Sequence, residues 1–253
     1  MRLRVRRIQP LLLALALTAT AGVACSNEIG GATSRVFEAP PWTGHELLRY
    51  DLTERGDLYG HCEMETLADV EPGLTKLNLL CGDDRGFRDD RSATVRADTL
   101  EPVGATRVIV NPEKDTRTTF TSTYADNKVT FTSDDNGKVR TAERELPTGT
   151  PENPQPGYYD DESLLWVVRG IPLRAGYEGR YSNVNAGNGR VFTVEVRVLG
   201  TDRITVPAGE FDAWRIQVRT SSITQLFWVD VEAPHRLVRA RIERLTYELT
   251  SYE

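Results

Sequence analysis

The chain has 253 residues, a net charge of −6 and three cysteines. This length is enough to bury a sizeable core, as one large domain or as two small ones. Beyond the first 24 residues, the acidic balance, with no basic run and no basic stretch interleaved with aromatic residues, argues against binding to nucleic acid or to an anionic lipid surface.

The first 24 residues have the pattern of a secretory signal peptide. Four arginines precede an apolar stretch over residues 8–17, and small residues follow. The apolar stretch is too short for a stable membrane-spanning helix. Removal of residues 1–24 takes away four positive charges and no negative charge, which moves the net charge from −6 to −10.

Two cleavage sites compete at the end of this segment. Ala19-Thr20-Ala21 fits ordinary signal peptidase, whereas Gly22-Val23-Ala24-Cys25 resembles the bacterial lipobox, with Gly22 where leucine is usual. We favour the second site, which makes Cys25 the acylated first residue and residues 25–41 a flexible tether. The acyl chains would then hold the protein to a membrane of the cell envelope, facing the periplasm or the extracellular side.

The two remaining cysteines, Cys62 and Cys81, are predicted to form a disulfide. They lie on two strand-like runs, residues 58–67 and 74–81, with a turn containing proline and glycine between them. In the hairpin that places the cysteines opposite each other, the apolar faces of the two strands coincide, and a shift of one residue separates them. The other partners in this register are Met64 with Leu79 and Thr66 with Leu77. Two unpaired buried thiols are the alternative.

Short alternating runs rich in threonine and valine predict antiparallel strands through the first half of the chain. Asn136-Gly137 is the favoured two-residue hairpin turn; a calcium loop would need alternating oxygen ligands and a later glutamate. Four prolines in residues 147–158 prevent strand pairing there. We interpret this stretch as a loop joining two halves, 42–146 and 159–253, of a single β domain spanning 42–253; a linker between domains is the alternative.

Residues 160–170 are predicted to form the one helix. Asp160 or Asp161 can cap its free amides, so we interpret the acidic run that ends at Glu162 as a cap rather than an acid–base pair. The five apolar residues that follow leave hardly any polar face, which indicates a helix buried on most sides.

The last hundred residues predict further strands. Pro207 and Gly209 suit a tight turn between two of them. The alternation then shifts by one residue near the end of the chain, which predicts a β-bulge near Glu243-Arg244 in the final strand. The fold class is mainly β: a curved antiparallel sheet or half-open β-barrel wrapped around the short helix. The residues predicted to line its cavity are Leu165, Trp166, Trp214, Ile216, Val218 and Trp228.

The segments YYDDESLLWVVRGIPLRAGYE, ITVPAGEFDAWRIQV and FWVDVEAPHRLVRARI, in this order, resemble the bacterial exported family called domain of unknown function 3108. The earlier ADTLEPVGATRVI and STYADNKVTFT also resemble that family, so the likeness spans about residues 45–250. The resemblance implies a fold and no catalytic residues. More distantly, the pattern is similar to the half-open β-barrels of periplasmic lipoprotein carriers, in which a curved sheet wraps a helix over an apolar cavity.

The sequence contains no recognisable catalytic or metal-binding motif. The three histidines have no metal-ligand spacing, and the HExxH, GxSxG and glycine-rich phosphate patterns are missing. We therefore expect no enzyme activity, no metal and no cofactor.

Two functional hypotheses remain, with an unrecognised hydrolase as a third. The favoured one is a lipid-anchored module that binds an apolar or lipid-like ligand or a cell-envelope component. The alternative is a structural or assembly protein of the envelope that acts through its outer surface. A pocket of roughly 300–1,000 Å³ inside the sheet favours binding, and a solidly filled sheet favours assembly.

Overall fold

The structure, a computed structural model, describes residues 34–147, 157–185, 187 and 189–253. The predicted signal peptide, the lipidation site Cys25 and most of the proline-rich loop 147–158 lie outside the described residues. Within the described part, none of the helices combines the length and the apolar character that a membrane crossing requires.

In the described residues, fifteen strands form a single curved sheet that does not close into a barrel. The strands are β1 His45–Glu54, β2 Asp57–Glu71, β3 Leu74–Gly82, β4 Arg88–Arg96, β5 Pro102–Asn111, β6 Thr116–Ala125, β7 Lys128–Asp135, β8 Lys138–Glu145, β9 Tyr158–Asp160, β10 Glu178–Val184, β11 Val191–Val206, β12 Gly209–Arg219, β13 Thr224–Asp230, β14 Leu237–Ile242 and β15 Leu245–Tyr252. Neighbours in the sheet are antiparallel, except that β9 runs parallel to β10. Because β1 also pairs with β15, both halves of the chain belong to one sheet.

The predicted disulfide hairpin is confirmed. Cys62 on β2 lies opposite Cys81 on β3, and the two are bonded. The neighbouring pairs also match the predicted register, with Met64 opposite Leu79 and Thr66 opposite Leu77. All six side chains are buried, as expected when one face of each strand turns toward the core.

The predicted helix is present but shorter than residues 160–170. A single 3-10 turn, Asp161–Ser163, leads into a four-residue helix, α1, Leu164–Val167. The predicted cap is confirmed, since the Asp160 carboxylate accepts a hydrogen bond of 3.0 Å from the backbone amide of Glu162. Beyond Val167 the chain continues in turn-type hydrogen bonds, in which the amides of Arg169 and Gly170 donate to the carbonyls of Trp166 and Val167 at 3.1 Å. It is tightly packed there, since a Cβ on Gly170 would lie 2.0 Å from the Phe37 ring.

Residues 34–41 are not the flexible tether that the sequence indicated. Val36 and Phe37 are buried in the main core. The backbone amide of Phe37 donates to the Tyr159 hydroxyl at 3.1 Å, and that of Glu38 donates to the Gly170 carbonyl at 2.8 Å. The apolar side chains of this segment bury against the helical segment, and this burial opposes the freedom of a tether.

The final strand with a bulge was a wrong prediction. β14 ends at Ile242 and β15 begins at Leu245, so Glu243 and Arg244 form a two-residue hairpin turn. A two-residue reversal changes which positions face the core, just as a bulge would, so the shifted alternation did not distinguish the two. The tight turn before Gly209 is confirmed between β11 and β12.

The helical segment lies inside the curve of the sheet. Trp166 is fully buried, and its indole nitrogen donates to the Thr66 hydroxyl at 2.8 Å. Just after the helix, Arg169 bonds to Glu46 at the start of β1. We call this end of the sheet, filled by residues 34–42 and 164–171, the sealed end. The opposite end carries the β10–β11, β12–β13 and β14–β15 turns, and we call it the turn end.

Candidate functional site

A cavity of about 570 Å³ lies inside the sheet toward the turn end. Side chains of β3, β4 and β5 line one side, and side chains of β10, β11 and β12 line the other. Helix α1 contributes Leu164 and Leu165, and the turns 220–223 and 243–244 also contribute. The cavity exists because the apolar segments that fill the sealed end stop at α1.

One wall of the cavity is apolar. Leu164 and Leu165 face it from the helix, and Val194 and Val218 face it from β11 and β12. Leu165, Val194 and Val218 are buried members of the main core. This wall offers aliphatic surface that an apolar ligand would remove from water.

The opposite wall carries a cluster of one aspartate and two arginines, which we call the arginine clamp: Asp89 and Arg91 on β4 and Arg107 on β5. Arg107 donates to both carboxylate oxygens of Asp89 at 2.7 and 2.8 Å. Arg91 donates to the same carboxylate from Nη2 at 2.7 Å. Burial raises the pKa of Asp89, but the hydrogen bonds and charges of the two arginines outweigh it and hold the pKa below its ordinary value.

The clamp faces inward because of the strand register. Arg91 lies opposite Leu79 on β3 and opposite Arg107 on β5. Since directly opposed residues share a face and Leu79 is buried, both guanidinium groups lie on the concave face. Each arginine uses Nε and Nη2 on Asp89, and neither Nη1 group has a hydrogen-bond partner among the described residues. The side chains of Arg91 and Arg107 are 24% and 28% exposed.

Three successive carboxyl groups begin the helical segment: Asp160 and Glu162 are buried, and Asp161 is half-buried. Asp160 accepts hydrogen bonds from Tyr124 and Ser122, and Asp161 accepts them from Asn183 and Asn185. Burial raises the pKa of Asp160, and it raises the pKa of Asp161 to about 6 against the opposing effect of the Asn183 hydrogen bond. Capping therefore accounts for Asp160 but not for the burial of Glu162.

Glu162 is the least satisfied of these acids. Its side chain is 2% exposed, and its Oε2 lies 3.6 Å from Arg91 Nε, too far for a hydrogen bond. Within the described residues this oxygen has no hydrogen-bond partner. Burial raises the pKa of Glu162 to about 7, although the charge of Arg91 lowers it.

A second unsatisfied polar atom lies on the other side of the cavity. Gln225 on β13 is directly opposite Val218 and therefore shares its inward face. Its Oε1 is buried and has no hydrogen-bond partner in the described part of the chain. An acceptor left unpaired in this position is costly, and a ligand donor in the cavity would remove that cost.

The six predicted lining residues do not all reach the cavity. Leu165 and Val218 line it. Trp166 and Ile216 are fully buried in the core, and Trp214 is half-buried against that core.

Trp228 lies on the other face of its strand. It is the neighbour of fully buried Phe227, and successive strand residues point to opposite faces. Its indole nitrogen donates to Asp202 at 3.0 Å, and the Arg241 guanidinium lies 5.6 Å from the ring centre. Because the residues around Trp228 are apolar on both faces of the strand, the sequence alone does not show which face turns toward the cavity.

The arginine clamp was missed at the sequence level although a signal existed. Ala93 and Val95 are buried on β4, and alternation from them places Asp89 and Arg91 on the same inward face. An inward-facing charge at the start of a strand is unusual unless it is paired. The strand begins with four consecutive charged residues, 88–91, and charges on both of its faces mask the alternation in the sequence.

The geometry of the described residues offers no obvious metal site. In residues 34–147, 157–185, 187 and 189–253, no group of three or more histidine, cysteine, aspartate or glutamate side chains is placed to hold a metal ion. What the cavity does offer is aliphatic surface, the arginine clamp and the half-buried carboxylate of Asp161.

These features define a class of protein: a half-open, β-barrel-like sheet with an internal cavity. In agreement, the fold is similar to the crystal structure of a β-barrel-like protein of domain of unknown function DUF1849 from Brucella abortus. The TM-score is 0.51 at 11% sequence identity, and the alignment covers 83% of this chain and 97% of that one. At this identity the likeness concerns the fold alone.

The family follows from the sequence. A family described as protein of unknown function (DUF3108) matches residues 83–246, and the chain belongs to it. The match begins just before the arginine clamp on β4 and ends in β15, so it includes most of the cavity wall. No functionally curated protein shows significant similarity to the chain.

Proposed function

We propose that this protein is an exported, lipid-anchored binding protein, without catalytic activity, whose internal cavity holds an apolar or lipid-like ligand. The observation that carries the proposal is the cavity itself. Its volume of about 570 Å³ lies within the range of known small-molecule sites, and its lining combines the aliphatic wall with charged and polar side chains. An assembly protein acting only through its outer surface has no need of such a space.

Two further observations support the location. The disulfide between Cys62 and Cys81 is of the kind that persists in oxidising compartments outside the cytosol. The signal-like residues 1–24 and Cys25 supply a route for export and acylation. Radiolabelled palmitate incorporated by the expressed wild type and absent from a Cys25→Ala variant would test the anchor directly.

Binding can be tested with N-phenyl-1-naphthylamine, an uncharged fluorophore that brightens in apolar surroundings. We expect saturable binding by the purified protein, and loss of most of it in a Val218→Trp variant, whose larger side chain fills the cavity. Fluorescence titration measures both.

The matched control is Val139→Trp, because Val139 is exposed on β8, away from the cavity. This variant should bind the probe like the wild type. Absence of saturable binding by the wild type, or equal binding by a folded Val218→Trp variant, would overturn the proposed function and favour the assembly role.

A further inference from the structure

We propose that the arginine clamp recognises an anionic headgroup, so that the cavity takes an amphiphile with an acidic head and an apolar chain, such as a fatty acid or an alkyl phosphate. This inference rests on the proposed function and narrows its ligand. It follows from the available donors, the balance of charge and the position of the clamp against the apolar wall.

The donors are held in place before any ligand arrives. Arg91 and Arg107 are directly opposed on neighbouring strands, and Asp89 fixes both by hydrogen bonds of 2.7–2.8 Å. Each still has an Nη1 group with no protein partner in the described residues. Two fixed guanidinium groups with spare N–H donors can donate hydrogen bonds to the two oxygens of a carboxylate or to the oxygens of a phosphate.

The charge of the clamp is not balanced internally. Asp89 is one carboxylate for two guanidinium groups, and Glu162, 3.6 Å from Arg91 Nε, balances the second positive charge only while it is ionised. An anion placed at the clamp is attracted in a site partly shielded from water, where charge interactions are stronger than in bulk solvent.

Glu162 explains how the clamp can exchange partners. It is the nearby acid that faces Arg91 at 3.6 Å without a hydrogen bond. With its pKa raised to about 7 by burial, Glu162 can take up a proton when a second anion enters, which avoids repulsion between the two.

The position of the clamp decides how the ligand lies. Leu79, directly beside Arg91, also lines the cavity, and the aliphatic side chains of Leu165, Val194 and Val218 lie on the other walls. A headgroup at the clamp therefore leaves its chain in contact with apolar surface.

The test compares ligands that differ only in the head, by displacement of N-phenyl-1-naphthylamine from the purified protein. We expect dodecanoate and dodecyl phosphate to bind about ten-fold or more tightly than 1-dodecanol, the effect of one or two charge-assisted hydrogen bonds. Inorganic phosphate and acetate should displace little probe. Equal displacement by inorganic phosphate and dodecyl phosphate would overturn the inference that the ligand is an amphiphile, and would indicate a site for free anions.

Variants locate the effect. Arg107→Gln should remove most of the preference for dodecanoate over dodecanol, whereas Arg140→Gln on exposed β8 should keep the preference of the wild type. The comparison of ligands on the wild type does not depend on any variant folding. Equal affinity for dodecanoate and dodecanol, or a preference that survives in Arg107→Gln, overturns the headgroup inference and leaves the proposed function standing. Failure of every probe to bind overturns both.

Discussion

The two ends of the sheet use arginines in different ways. At the sealed end, the Arg169 side chain is fully buried and donates two hydrogen bonds, of 2.6 and 2.9 Å, to the two carboxylate oxygens of Glu46. Its Nε also donates to the His235 carbonyl at 2.9 Å. At the turn end, Arg91 and Arg107 share one carboxylate and keep Nη1 donors without a protein partner in the described chain.

This difference separates a structural arginine from one available to a ligand. Each nitrogen of the Arg169 guanidinium has a protein acceptor, and the pair joins the end of the helical segment to β1. The clamp arginines are paired enough to be held in position and exposed enough to meet a ligand. The burial of an arginine and the number of its N–H groups that already have a protein acceptor therefore indicate whether it is structural or available to a ligand. Its charge alone does not.

The largest expected effect comes from breaking the sealed end. Arg169→Met leaves the Glu46 carboxylate buried without its partner, and we expect the free energy of unfolding to fall by about 3–5 kcal/mol. Urea denaturation followed by tryptophan fluorescence measures it.

The matched control is Arg49→Met, since Arg49 forms exposed ion pairs with Glu63 and Glu253. Such pairs contribute at most about 1 kcal/mol. The double variant Arg169→Met/Glu46→Leu should regain much of the lost stability. If Arg169→Met costs no more than the control, the sealed end is not held by this pair.

The second effect concerns the disulfide, which lies beside the clamp because Cys81 is opposite Asp89. Replacing Cys62 and Cys81 by alanine frees a loop with a sequence separation of 19, and we expect a loss of about 3 kcal/mol. Calorimetry in the absence of reductant measures the change. Probe binding at temperatures well below unfolding should persist, because the clamp is held by strand pairing and by Asp89. A variant as stable as the wild type would contradict the expected contribution of the disulfide.

The third effect is the pH dependence of stability at the turn end. The pKa of Glu162 is raised from 4.5 to about 7, and that of Asp161 is raised to about 6. Below about pH 4 both groups are protonated in either state, and their contribution is fully present. As the pH rises toward 7, the unfolded chain releases these protons first, so the free energy of unfolding should fall, on the order of 2 kcal/mol for Glu162.

Thermal unfolding between pH 4 and pH 8 measures this dependence, with Glu162→Gln as the test variant. The variant keeps the shape of the side chain without its titration, so its stability should fall less over this range. Glu63→Gln, an exposed position on β2, should follow the wild type. An identical pH profile for wild type and Glu162→Gln would show that Glu162 titrates normally.

The disulfide hairpin was predictable because its information is local. The alternation of side chains along each strand and the sum of opposed residue numbers are enough to align Cys62 with Cys81. The cap at Asp160 and the turn before Gly209 follow from single residue types with strong backbone preferences.

Two predictions were wrong because they relied on local sequence alone: the β-bulge near Glu243 and the flexible tether ending at residue 41. A bulge and a two-residue turn leave the same pattern of apolar positions in the sequence. Phe37 looks free in the sequence because Gly170, against which it packs, is more than 130 residues away along the chain.

What the sequence by itself determined is the β character, the hairpin register, the disulfide and the buried helix, since each depends on neighbouring residues or on one strand pair. The tertiary structure alone decided that Arg91 and Arg107 meet over Asp89, that Glu162 lies beside them, and that a space remains above Leu165. These contacts join β4, β5 and the helical segment through the curvature of the sheet. That curvature is a collective result of all fifteen strands, and no single stretch of sequence specifies it.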